Sequence, residues 1–158
     1  MFSSMKLVLA IMLLIPGIEI NGNTATIYYD GGGNIAEYEQ QIKTAKKNGV
    51  TNVVIDGICP SACILWMHES YDLNVCAKEN AAVGFHIPYS IAPNGKVIVS
   101  EEEYSIGLMI AREMVIGLPE KLRDHWFGIK LPAPSKGDPV SMMDWVIGDD
   151  AVDMIGDC

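Results

Sequence analysis

The chain has 158 residues, 49% of them hydrophobic and 20% charged, with a formal net charge of −9. That composition fits one folded domain with a continuous core and argues against disorder. No basic cluster is longer than Lys46-Lys47, so the charge balance counts against nucleic acid or an anionic membrane surface as a partner.

From the N-terminus, Lys6 precedes an apolar run from Leu7 to Ile15, which Pro16, Gly17 and Glu19 end. A membrane-spanning helix needs roughly 20 apolar residues, so residues 1–22 read as a secretion signal, with an uncleaved N-terminal anchor as the alternative. Residues 25–158 form the expected domain. In it, "ATIYYD" (25–30) is a β-rich run ending in Gly31-Gly32-Gly33. Ile35, Tyr38, Ile42 and Ala45 then recur at helical spacing, with Asn34 as N-cap and Gly49 as stop. "VTNVVIDGI" (50–58) predicts a strand buried on both sides. After "CPSAC" (59–63), the run Ile64-Leu65-Trp66-Met67 predicts a buried helix starting near Ser61.

"NAAVGFHI" (80–87) predicts a third strand that delivers His86 at its end, followed by a loop or hairpin turning at Asn94-Gly95. Ser100 and Glu103 have capping-box spacing and open a long helix; a short one runs from Pro119 to about Trp126. A Pro/Gly-rich loop (131–139) and a last short helix (149–156) complete the chain. Strand and helix alternate, which predicts an α/β layered fold: a parallel sheet with right-handed crossover helices.

The chemistry converges on one edge of that sheet. A serine hydroxyl needs a base to take its proton and a site to hold the oxyanion that forms. Ser61 lies at a strand-to-helix junction, where backbone N–H groups are unpaired. His86 closes a neighbouring strand, and the Gly31–Gly33 backbone can approach a ligand closely. Parallel strands bring all three to the carboxyl edge, where open α/β sheets bind ligands. The cysteines Cys59, Cys63, Cys76 and Cys158 lack a C-x2-C pair for zinc, so no metal is expected; C-x3-C also differs from the C-x-x-C of thioredoxin-like redox sites. In a secreted chain they are disulfide candidates, with three pairings open.

"DGGGNIAEY", "GICPSACILW" and "AAVGFHIP", in that order, resemble the Clp protease proteolytic subunit and the signal-peptide-peptidase membrane serine proteases, which share the ClpP/crotonase fold. The secreted branch with a C-x-S-A-C nucleophile segment is the most similar. The Ser61–His86 separation of 25 positions matches the Clp-type interval. The resemblance covers Ile27 to Pro88 and returns at "GDDAVDMIGD". It implies a ClpP/crotonase-like fold and a secreted or periplasmic serine hydrolase, a peptidase acting without a cofactor on a peptide or protein substrate. Ser61 would be the nucleophile and His86 the general base. The N–H groups of Gly33 and Ala62 would form the oxyanion hole.

For a third catalytic residue the family's downstream aspartate falls nearest Asp138; Asp144 and a bare Ser–His dyad are the alternatives. A Cys59–Cys63 bridge would pin the bend that carries Ser61, although Cys76 could take either partner. A homo-oligomer stays open, as does membrane association through the N-terminal segment. Against the enzyme stands a non-catalytic peptide- or partner-binding module on the same fold.

Overall fold

A computed structural model describes residues 17–134 and 142–158. In chain order the elements are β1 (Ile18–Asn21), β2 (Thr24–Tyr29), α1 (Ile35–Lys47), β3 (Asn52–Pro60), two 3₁₀ turns (Ser61–Met67 and Glu69–Tyr71), β4 (Asn74–Ala77), β5 (Ala82–Phe85), α2 (Glu101–Ile116), α3 (Glu120–Gly128), β6 (Asp144–Ile147) and α4 (Asp149–Ile155). The fold is mixed α/β.

The helices start and stop where the sequence signals do. The Asn34 side chain accepts from the N–H groups of Ala36 and Glu37, Glu37 sits in the first turn, and Lys46 and Lys47 sit in the last. Each charge opposes the end of the helix dipole it lies nearest. Tyr38, Ile42 and Ala45 turn one face of α1 into the core. Ser100 caps α2 by accepting from the Glu103 N–H. The run after Ser61 is buried as expected, from Ala62 to Met67, but it winds as a 3₁₀ turn and not as an α-helix. The Cys59–Cys63 bridge ties its first turn back to the end of β3.

The sheet is mixed where an all-parallel one was expected. β2, β3, β4 and β5 are parallel to their neighbours, with β4 along the first half of β3 and β5 along the last three residues. β1 and β6 flank this set antiparallel, on β2 and β5. Three strands escaped the sequence reading: β1, which falls inside the span assigned to the leader, and β4 and β6, each of four residues. Their pairing is what makes them strands. Ile18 is buried and β1 pairs with β2 along its whole length, so residues 18–21 are part of the sheet.

Burial along β3 alternates: Val53, Ile55 and Cys59 are inside, while Val54 is half-buried and Ile58 exposed. The expected burial on both faces is therefore corrected to one covered face, onto which the Ser61–Met67 turn packs. Trp66, near its end, is fully buried. At the far end the C-terminal tail runs beside β4, through an Ala77–Asp157 bridge, and Cys158 is disulfide-bonded to Cys76. Two disulfides fit an oxidising, extracellular environment. Among the described residues, no helix is long and apolar enough to cross a membrane.

Candidate active site

Parallel strands β2, β3 and β5 end at one edge of the sheet, with Tyr29 in register with Ile58, and Pro60 with Gly84. Chain geometry therefore carries Gly31–Gly33, Ser61 and His86 to the same place. Ser61 Oγ lies 2.7 Å from His86 Nε2. The other ring nitrogen, Nδ1, is 2.9 Å from the carbonyl oxygen of Ile87. A carbonyl can only accept, so Nδ1 carries the proton and Nε2 is left to accept from the serine hydroxyl. Burial holds the imidazole pKa below its ordinary 6.5, and the hydrogen bond to Ile87 opposes that shift only in part. The ring is thus neutral at pH 7, the form that can take a proton.

Ser61 has φ +55°, one of two non-glycine residues in the left-handed region among those described. An L-residue there carries about 1–2 kcal/mol of strain. Strain of this kind persists only where surrounding structure enforces it. Here Pro60 fixes the preceding residue, and the Cys59–Cys63 disulfide closes the bend with a Cα–Cα distance of 5.2 Å.

Gly32 (φ +74°) lies directly against this bend. A Cβ built on it would stand 3.0 Å from Ser61 Cβ and 3.3 Å from the Pro60 carbonyl oxygen. No larger residue fits without moving the serine. The next amide in the chain, the Gly33 N–H, donates to no group among the described residues. Ala62, in the first 3₁₀ turn, has an N–H with no acceptor inside that turn.

Gly32, Gly33, Ser61 and His86 border a groove of about 980 Å³. Its walls include Ile35, Ile64, Phe85, Ile110, Met114 and Met143, and among the described residues the charged groups that line it are the carboxylates Glu39 and Glu103. Met143 rests on Gly84, where an added Cβ would meet its Sδ at 2.9 Å. Trp66 and Met67 are core, whereas Met143 lines the groove.

The third-residue candidates separate. Asp138 lies outside the described residues. Asp144 does not reach His86: its Oδ2 accepts from His125 Nε2 at 2.6 Å, tying α3 to the start of β6. Among the described residues no carboxylate binds His86, and a backbone carbonyl fills that position. His125 is part-buried and held by this pair, with its ring centre 6.3 Å from that of Phe85. His68 is structural: its Nδ1 accepts from the Ser70 N–H at 3.2 Å, and its ring occupies the space beside Gly117.

One contact that the sequence pattern does not reveal holds the segment after His86 in place. α2 crosses the segment just after His86 at Gly107, where an added Cβ would lie 2.3 Å from the Pro88 carbonyl oxygen and 2.8 Å from Ile87 Cγ2. Gly107→Ala must push α2 or the Ile87-Pro88 segment aside. Overpacking of this kind costs about 1–3 kcal/mol. The expected result is a lower denaturation midpoint together with slower reaction at Ser61, because Ile87 also supplies the acceptor for His86 Nδ1. Urea titration and labelling kinetics on the same sample check both.

The chain matches no protein-family model and no curated protein sequence. The geometry alone carries the functional reading.

Proposed function

We propose that this protein is a secreted or periplasmic serine hydrolase of the ClpP/crotonase type, a peptidase that works through a Ser61–His86 dyad. The observation that carries the proposal is the 2.7 Å hydrogen bond between Ser61 Oγ and His86 Nε2 on a strained bend facing an open groove. In the reaction, His86 Nε2 takes the hydroxyl proton as Oγ bonds to the substrate acyl carbon. The carbonyl oxygen becomes the oxyanion, and the N–H groups of Gly33 and Ala62 are the donors that receive it. His86 then returns its proton to the leaving amine as the C–N bond breaks. Water, deprotonated by the same nitrogen, releases the acyl group from Ser61. The apolar walls suit a peptide carrying apolar side chains.

The test is covalent labelling of the oxidised protein with a fluorophosphonate. Wild-type Ser61 should react and Ser61→Ala should not. An unlabelled wild type, beside a control serine hydrolase that labels, removes the proposal. A second reading, a binding module without turnover, is favoured by one feature: His86 Nδ1 donates to a carbonyl and not to a carboxylate. Peptide capture unchanged in Ser61→Ala, with no wild-type turnover, would select it.

The pH dependence has a definite sign. A base whose pKa lies below 6.5 stays neutral through mildly acidic solution, so the acid limb of the labelling rate should have its midpoint below pH 6.5. The same depressed pKa makes the unfolded chain bind more protons than the folded one in that window. His86 therefore contributes stability above pH 6.5, and the contribution is lost as pH falls from 6.5 through the folded-state pKa. Labelling rate against pH, with denaturation midpoints at the same pH values, measures both.

A further inference from the structure

The only buried charged residue among those described is Asp30, at 5% exposure. It stands where β2 leaves the sheet, its backbone N–H donating to the Ile58 carbonyl at 2.9 Å. Its Oδ1 accepts twice: from the Gly32 N–H at 2.9 Å and from the Tyr38 hydroxyl on the buried face of α1. Oδ2 is buried with no hydrogen-bond partner among the described residues. Leaving a carboxyl oxygen unpaired in the interior costs stability, so the group calls for a role that an apolar residue could not fill. The hydroxyl of Tyr38 is correspondingly held protonated, its pKa raised by burial first and by Asp30 second.

Asp30 is placed to act on the glycine loop. By taking the Gly32 N–H it fixes the peptide plane of that residue, whose Cα packs against Ser61. The following amide, Gly33, is then the one left facing out, and it borders the groove. We propose that Asp30 and Tyr38 form a positioning pair that holds the glycine loop with its Gly33 N–H aimed at the oxyanion, Tyr38 locking the rotamer of Asp30 and Asp30 locking Gly32. The inference rests on the serine hydrolase reading and adds two residues to it, neither of which touches substrate.

The test compares steady-state hydrolysis of 4-nitrophenyl butyrate with thermal melting in wild type, Tyr38→Phe and Asp30→Asn. Tyr38→Phe removes the lock and should lower kcat by about 10–100-fold with little change in KM, the size of effect a misaimed oxyanion donor produces. Asp30→Asn keeps an oxygen that accepts from both Tyr38 and Gly32 but buries an unpaired amide. It should melt at lower temperature while retaining kcat to within about threefold, less than loss of a donor costs.

A purely structural pair would instead lower both melting temperatures and leave kcat of the folded protein alone. That pattern overturns the inference, as does a Tyr38→Phe loss carried wholly by KM. If Tyr38→Phe does not fold, Asp30→Glu shifts the Gly32 contact by one methylene: a comparable fall in kcat supports the pair, and an unchanged kcat refutes it. Wild type that neither labels at Ser61 nor hydrolyses the ester brings down the hydrolase reading and this inference together. Wild type that reacts, beside an equally active Tyr38→Phe, brings down the inference alone.

Discussion

His86→Ala is expected to slow fluorophosphonate labelling of Ser61 by about 10⁴-fold or more, as removal of the base from a serine nucleophile does in comparable sites. Among the described residues, Nε2 is the acceptor that Ser61 Oγ meets. Without it the hydroxyl keeps its proton at neutral pH and attacks only weakly. The fold should survive, because the ring is only half-buried at the groove and its Nδ1 partner belongs to the adjacent residue. A stability loss of about 1 kcal/mol is the ordinary cost of such a truncation. The two readouts therefore separate: kinetics collapse while the melting temperature moves by only a few degrees. A variant that labels within tenfold of wild type would show that the imidazole is not the base.

The second large effect concerns the disulfides, which divide stability from chemistry. Cys76 and Cys158 are 82 positions apart, so their bridge restricts a long unfolded loop. Loop-closure entropy assigns such a cross-link about 4–5 kcal/mol. Replacing both residues by serine should lower the melting temperature by roughly 10 °C or more for a domain of this size, yet leave the labelling rate of folded protein unchanged. Cys59 and Cys63, only four apart, close a loop worth about 2 kcal/mol by the same reasoning. Their bridge encloses Ser61 in its left-handed conformation. The Cys59→Ser/Cys63→Ser protein should therefore be the more stable of the two double variants and the less reactive. Chemical denaturation and labelling, run on both, measure the crossover. Equal loss of reactivity in both would place the effect in global stability and not in the bend.

Much of the candidate site is legible in the sequence. Ser61, His86 and the glycine run announce themselves because a strand followed by a turn is a local pattern, and parallel strands have only one carboxyl edge at which to meet. The Asn34 and Ser100 caps are equally local, each satisfying amides two or three residues away. Which strand lies beside which is not local. β1, β4 and β6 are four-residue segments with mixed burial patterns, too short for periodicity to distinguish them from loops. β1 also follows directly on the apolar N-terminal run and was absorbed into it.

The sequence by itself determined the candidate side chains Ser61 and His86, the helix ends and the order of strand and helix, since all of these depend on interactions within a few residues. Only the tertiary structure decided the mixed sheet, the pairing of Cys76 with Cys158, the partnership of Asp144 with His125, and the backbone carbonyl that stands behind His86. It also brought Asp30 and Tyr38 together beneath the glycine loop. Each of these depends on the distance between groups remote in sequence or on the direction a backbone oxygen points. Both are set by packing, and neither leaves a trace in residue spacing.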